Sequence, residues 1–367
     1  MAARTQFFPS RTIGWYMARL FLVRAIAVLA GLALILQTLD MLGESGRVLA
    51  YPGNGDAELW RYVGLRLPQI INRFLPFSVL LGALITLATL NQNSEVIAIK
   101  GAGISAHQIL APLVLASLGI SVVAFTFNER VVVRATAALN AWESADYGPV
   151  EKGNEALNNV WVRDGDDILH ARSVIGRGER MRIGVIEIFE RNGGELISTT
   201  RADGAVRDGQ GWKLTGHIRH FNVTRGVPAE RPSAHFGENI RPDQFSLSNI
   251  KAEERAFLPL LDAIHDLERA GRPTSALRAG LWHKISAPLS VALMPFLAGV
   301  AAFGLARSGK LFIRAVIGMG LGFAFFVADN FALAMCNLGA YPGWLAAWSP
   351  LLLFLMIGQL VLVMTEE

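Results

Sequence analysis

The chain has 367 residues, of which 52% are hydrophobic and only 17% are charged, against roughly 25% charged in an average soluble chain. A mean hydropathy of +0.37 excludes an ordinary soluble enzyme, and one cysteine, Cys336, excludes a disulfide scaffold or a Cys-based zinc site. The net charge of +4, on so little polar surface, argues against nucleic-acid binding.

A membrane-spanning helix needs roughly 20 mostly apolar residues, and six segments qualify. The first is 20–39, interrupted by Arg24. The second ends near Leu90 and is free of charge from Phe74 onward. The third, 109–127, carries no charge. The fourth, 285–306, holds Pro288 and Pro295, which membrane helices tolerate because neighbours satisfy the freed backbone groups. The fifth is 311–336, and the sixth, 344–364, opens with the interfacial aromatics Trp344 and Trp348. A cleaved signal peptide is the weaker reading of the first segment: no small-residue cleavage site follows it, and five more spans come later.

Six spans bring both termini to one side. Placing them inside gives the cytoplasm Arg4, Arg11, Arg19, Lys100, Arg307, Lys310 and Arg314. Outside lie Arg47 and Arg61, with Arg66 and Arg73 just within the second span. The positive-inside rule therefore favours cytoplasmic termini, with segment 129–275 outside, which is the periplasm if the cell is Gram-negative.

That insert starts as a helix, 128–147, and then changes character. Runs at 160–162, 168–170, 183–189, 196–198, 212–214 and 220–223 read as short strands. Turn signals separate them at Asp164-Gly165, Asn192-Gly193-Gly194, Asp203-Gly204 and Asp208-Gly209. Such spacing indicates a sandwich, jelly roll or barrel. A helix follows over 257–270, with Gly271 suited to its C-cap and Pro273 as a stop. Charge is segregated accordingly: the 147 residues of 129–275 hold 42 charged residues, and the other 220 hold 22.

Two motifs mislead. Segment 304–310, Gly-Leu-Ala-Arg-Ser-Gly-Lys, lacks the final Ser or Thr of a phosphate-binding loop and follows a membrane helix instead of a strand. It reads as a short basic turn. His217 and His220 are three apart on an expected strand, hence on opposite faces, which favours surface roles over joint metal ligation. With no nucleophile elbow and no zinc-protease motif, the expectation is a non-enzyme without cofactor or metal.

Between spans two and three, segment 91–105 reads as a short amphipathic helix. Ser94 can cap it and Gly101 or Gly103 can end it. Val96, Ile97 and Ile99 suit docking in a partner's groove, although an ordinary interfacial loop fits the segment equally well.

Taken together, these features resemble the permease family of the lipopolysaccharide export transporter, LptF/LptG, over the whole chain. Glu95, Lys100, Gly103 and Ser105 are similar to the family's coupling-helix pattern, with Lys100 where an arginine is commoner. That change keeps the charge but loses the planar fork. Asn128-Glu129 resembles the end of the third span. Trp282, Lys284, Pro288 and Leu289 resemble the start of the fourth, and Pro342, Leu345-Ala346-Ala347-Trp348 and Pro350 that of the sixth. Asp40-Met41-Leu42 and Arg66-Leu67-Pro68 look more like the LptG branch.

The resemblance implies an α-helical membrane protein with six transmembrane helices and an inserted periplasmic β-jellyroll-like domain. Its parts would be an N-terminal membrane half 1–128 with the coupling helix at about 92–105, the periplasmic domain 129–275, and a C-terminal membrane half 276–367. It further implies an inner-membrane subunit that extracts lipopolysaccharide. The expected partners are a second homologous permease (LptF-like), a cytoplasmic ATPase dimer (LptB-like) and a periplasmic bridge protein (LptC/LptA-like). Within that frame Glu95, Ile97, Lys100, Gly103 and Ser105 form the ATPase-coupling helix, and Glu95 suits the helix N-terminus. Arg66 and Arg73 share a helix face and are the lipid-contact candidates, snorkelling being the plainer role. Gly318 and Gly322 form a GxxxG pattern for helix packing or a lateral gate. Arg24 is expected to snorkel, and Asp329 to sit at the interface rather than in a proton relay. Alternatives are a permease of another envelope lipid or lipoprotein complex, usually of four spans, and a non-transporting membrane scaffold.

Overall fold

A computed structural model describes residues 10–149, 157–176, 181–209, 211–223, 228–230, 235–237, 240, 251–269, 273–304 and 311–366. Two compact units emerge. One comprises Met1–Leu139 with Ala252–Glu367, the other Asn140–Lys251.

Among the described residues, six helices are long and apolar enough to cross a membrane, and they build the first unit, the third running on to Ser144. Helices α1 (Arg11–Ala50) and α2 (Asp56–Gln92) form a hairpin, and the short α3 (Glu95–Gly101) leads into α4 (Ala106–Phe127). A π-helical turn, Asn128–Val132, continues into α5 (Val133–Ser144). After the insert come the amphipathic α6 (Phe257–Arg269) and α7 (Ser275–Gly299), which closes in a second π turn, Val300–Gly304. The last two are α8 (Leu311–Asn337) and α9 (Gly343–Glu366). At 40 residues, α1 runs to about 60 Å, twice the hydrocarbon thickness of roughly 30 Å. The apolar windows therefore understated α1 and α2, whose polar ends stay helical.

Capping explains several boundaries. The Glu58 carboxylate accepts from the Gly55 N–H at 2.8 Å at the head of α2. At the joint of α6 and α7, the Thr274 hydroxyl donates to Glu268 at 3.0 Å and Arg278 Nε at 2.7 Å. Those bonds hold the Glu268 carboxyl below the ordinary carboxylate range. Gly271, expected as the cap of α6, lies outside the described residues.

The core of this unit is built on α2. Leu80, Leu84 and Leu87 are buried with Phe21 of α1, Ile109 and Leu113 of α4, and Leu297 of α7. Hairpin packing is close: a Cβ on Gly82 would lie 2.7 Å from the Ala25 Cα. Small residues that let backbones approach are the usual device where lipid removes the hydrophobic drive.

The second unit is an antiparallel sheet with the path β1-β2-β3-β4-β5-β8, and β6 and β7 branch from β4. Strands β1 (Leu157–Asp164), β2 (Asp167–Ile175), β3 (Arg182–Asn192), β4 (Glu195–Asp208), β5 (Gly211–Thr215) and β6 (Arg219–Asn222) cover the six expected runs, except that Val223 falls just past β6. The short β7 (Pro228–Glu230) and β8 (His235–Phe236) are additions. Val160, Leu169, Ile186, Ala202 and Trp212 belong to one core. One expected turn is wrong, because Asp203-Gly204 lies inside β4. Gly204 pairs with Gly184 and Thr215, and a Cβ there would meet the Ile183 carbonyl and the Thr215 hydroxyl, each at 3.0 Å. That glycine serves close strand approach instead of a turn.

Candidate functional site

Segment 91–105 folds as a short helix held at both ends by identifiable bonds. Ser94 precedes α3 in a left-handed conformation (φ 60°) and makes no side-chain cap, contrary to the expectation. The amide of Asn93 instead donates to Glu95 Oε1 at 3.1 Å. At the C-terminus the Gly103 N–H donates to the Lys100 carbonyl at 2.9 Å, and the Ile104 N–H to the Ile99 carbonyl at 3.4 Å. This is the paired bonding of a Schellman stop, with Gly103 at the required positive φ of 84°. Ser105 then caps α4: its hydroxyl accepts from the Gln108 backbone N–H at 3.3 Å, and the Gln108 side-chain Oε1 accepts from the Ser105 backbone N–H at 2.9 Å. The spacing Ser105-Ala106-His107-Gln108 carried that signal in the sequence.

The apolar residues of α3 divide. Val96 is buried and Ile99 packs on the membrane unit's core, so neither is available to a partner's groove as the sequence reading had it. Ile97 points the other way and is 67% exposed. Lys100 stands 5.1 Å from the centre of the Phe303 ring, in the π turn after α7.

Several charged groups of the unit are paired. Arg66 grips Asp40 through Nε and Nη2, the latter at 2.9 Å, while the Tyr62 hydroxyl donates to the same carboxylate at 2.6 Å. Tyr62 and Arg66 are four apart on α2, so both face α1. Arg73, one of the two lipid-contact candidates, is exposed. From the sequence, Arg24 is expected to reach toward the interface. Its guanidinium donates sideways to the Ile85 carbonyl of α2 at 3.0 Å.

Two of the segments that carried the family resemblance meet in space. Lys284 of α7, only 7% exposed, donates to Glu129 of the first π turn at 3.1 Å. The other carboxylate oxygen of Glu129 accepts from the Phe257 N–H, at the head of α6, at 2.6 Å. One carboxylate thus ties three elements together. The neighbouring His283 bonds Asp329 of α8 at 3.0 Å. Sequence reading missed Tyr62, His283 and Phe303, and named Asp40 without its pairing, because each acts through a partner more than twenty residues away.

Gly318 and Gly322 face α2. A Cβ on Gly318 would lie 2.6 Å from Leu84 Cδ2, and one on Gly322 would strike Leu80. Gly320, between them, has open space. In the sheet unit, His217 is exposed, but His220 is buried and bonds the Thr200 hydroxyl at 2.9 Å. The surface role expected for His220 is therefore wrong: inward strand alternation and a hydroxyl partner bury it. No metal-ligand cluster occurs among the described residues. Residues 305–310 of the loop-like glycine run lie outside them.

Residues 15–364 match the family model described as "Lipopolysaccharide export system permease LptF/LptG". The lipopolysaccharide export system permease protein LptG of Escherichia coli K12 is 23% identical over 350 residues, spanning 93% of this chain and 94% of that protein. The Haemophilus influenzae protein of the same name is 24% identical over 342 residues, 90% of this chain and 92% of its own length.

Proposed function

The chain belongs to the lipopolysaccharide export permease family LptF/LptG, and on that premise we propose that it is the transmembrane subunit that extracts lipopolysaccharide from the inner membrane. Its six apolar helices suit a multi-pass protein and disfavour a four-span permease. ATP hydrolysis belongs to a cytoplasmic ATPase dimer, and a second homologous permease completes the lipid path. The β-rich unit, with a jellyroll-like closure, passes lipid to a periplasmic bridge protein. The termini are cytoplasmic and residues 129–275 periplasmic.

One observation carries this reading. On α3, Val96 and Ile99 anchor the helix to the bundle while Ile97 is left exposed. A short helix fixed by one face and apolar on the other is built to receive force from a docked partner. Glu95 adds a negative charge at its N-terminus for a basic group on that partner. Gly103 and Ser105 act by shaping the segment, and Lys100 by its contact with Phe303.

On the lipid side, Arg73 is the cation that meets the lipid's phosphates, and Arg66 joins from its pair with Asp40. Photo-crosslinking from position 73 to lipopolysaccharide in membranes is the expected result. Crosslinks that form only from α1 would remove this assignment. Gly318 and Gly322 seat α8 on α2, which leaves the opposite side of α8, around Gly320, to line a lateral gate with the second permease.

The test of the whole reading is affinity purification of the chain in mild detergent. A second permease and an ATPase come with it, and Ile97→Asp loses the ATPase while retaining the permease. Recovery of the chain alone supports the scaffold alternative.

A further inference from the structure

Lys100 and Phe303 come from opposite halves of the sequence, yet Lys100 Nζ lies within cation–π range of the Phe303 ring, at 5.1 Å. Phe303 sits in the π turn Val300–Gly304 that ends α7. Ile99, Ile104 and Phe303 all pack on the cluster that includes Val300 and Ala301. The Lys100–Phe303 contact is thus a direct link between α3 and the end of α7, both of which rest on the same core. A π turn bonds i to i+5 with a widened backbone, and such turns concentrate at functional positions. The end of α7 that α3 touches is therefore a point of irregular helix.

We infer that Phe303 is a positioning residue for transport: the Lys100–Phe303 contact carries displacement of α3 into the π-helical end of α7, linking the ATPase-facing helix of the first half to the first span of the second. This rests on α3 being the coupling helix. It also explains why lysine suffices at position 100. An ammonium over a ring needs no planar fork, whereas a bidentate carboxylate contact would.

The experiment uses the assembled transporter in proteoliposomes containing lipopolysaccharide and reads ATP hydrolysed per lipid released. Phe303→Leu and Lys100→Met each raise that ratio roughly two- to fivefold, the equivalent of one contact of this class. The double variant is no worse than either single one, because both remove the same contact. Phe303→Tyr and Lys100→Arg, which keep ring and cation, restore the wild-type ratio. ATPase co-purifies normally with Phe303→Leu, which separates this inference from the coupling-helix reading. That reading fails by itself if Ile97→Asp leaves the ATPase bound. An unchanged ratio in Phe303→Leu, or additive effects in the double variant, overturns the inference. Lys100 is exposed, so Lys100→Met leaves the core intact. Should Phe303→Leu assemble poorly, an unchanged ratio in Lys100→Met overturns the inference on its own.

Discussion

Glu129 and Lys284 form an ion pair whose side chains are little exposed. Their side chains are 15% and 7% exposed. Removing one partner of such a pair strands the other charge, at a cost of roughly 3–5 kcal/mol. Lys284→Met is therefore expected to lower the melting temperature of the detergent-purified protein sharply. Adding Glu129→Leu recovers part of the loss, although the Phe257 N–H then lacks its acceptor. A drop in Lys284→Met no larger than that of an exposed lysine variant would contradict the ion-pair assignment. Ser105→Ala removes the cap of α4 and is expected to cost about 1 kcal/mol. Its thermal shift should appear without loss of ATPase binding, since the hydroxyl faces Gln108 and not a partner. Of these roles only the Ser105 cap had a local signal in the sequence. The Glu129–Lys284 pair joins residues 155 positions apart, and no periodicity brings them together.

Among the elements, glycine spacing separates packing from empty space. Gly82, Gly318 and Gly322 each meet a neighbour that a Cβ would strike, and Gly320 meets nothing within 4 Å. Gly82→Ala has its obstacle in the backbone of Ala25, which cannot rotate away, and overpacking of this kind costs roughly 1–3 kcal/mol. Gly318→Val and Gly322→Val collide with the ends of the Leu84 and Leu80 side chains, Gly318→Val also with the Ala301 Cβ at 3.1 Å, and both are expected to destabilise. Gly320→Val is expected to leave thermal stability in detergent unchanged. Equal destabilisation at 318 and 320 would contradict the seating of α8 on α2. The helices were legible because apolar runs of spanning length have few other uses. Six strands were legible from alternation between turn residues. Asp203-Gly204 misled because a glycine required for strand approach and one required for a turn look alike in sequence. Val96 and Ile99 misled because amphipathicity shows that a helix has an apolar face and not what covers it.

At the scale of the whole molecule, the low overall charge conceals a partition. The 147 residues of 129–275 hold 42 charged residues and the remaining 220 only 22, and most of the sparse membrane charges with described partners are spent on ties between helices. Asp40 with Arg66 and His283 with Asp329 join different spans, and Lys284 draws in Glu129 from the edge of the charged stretch itself. We propose that these ties let a push at α3 reach distant spans. The central claim is that this push drives lipid extraction. ATP-dependent release of lipopolysaccharide from proteoliposomes, measured for wild type and for Ile97→Asp at equal amounts of folded membrane subunit, tests it most directly. The expected result is release by the wild type and none above the ATP-free background by the variant. Equal release by both would contradict the claim.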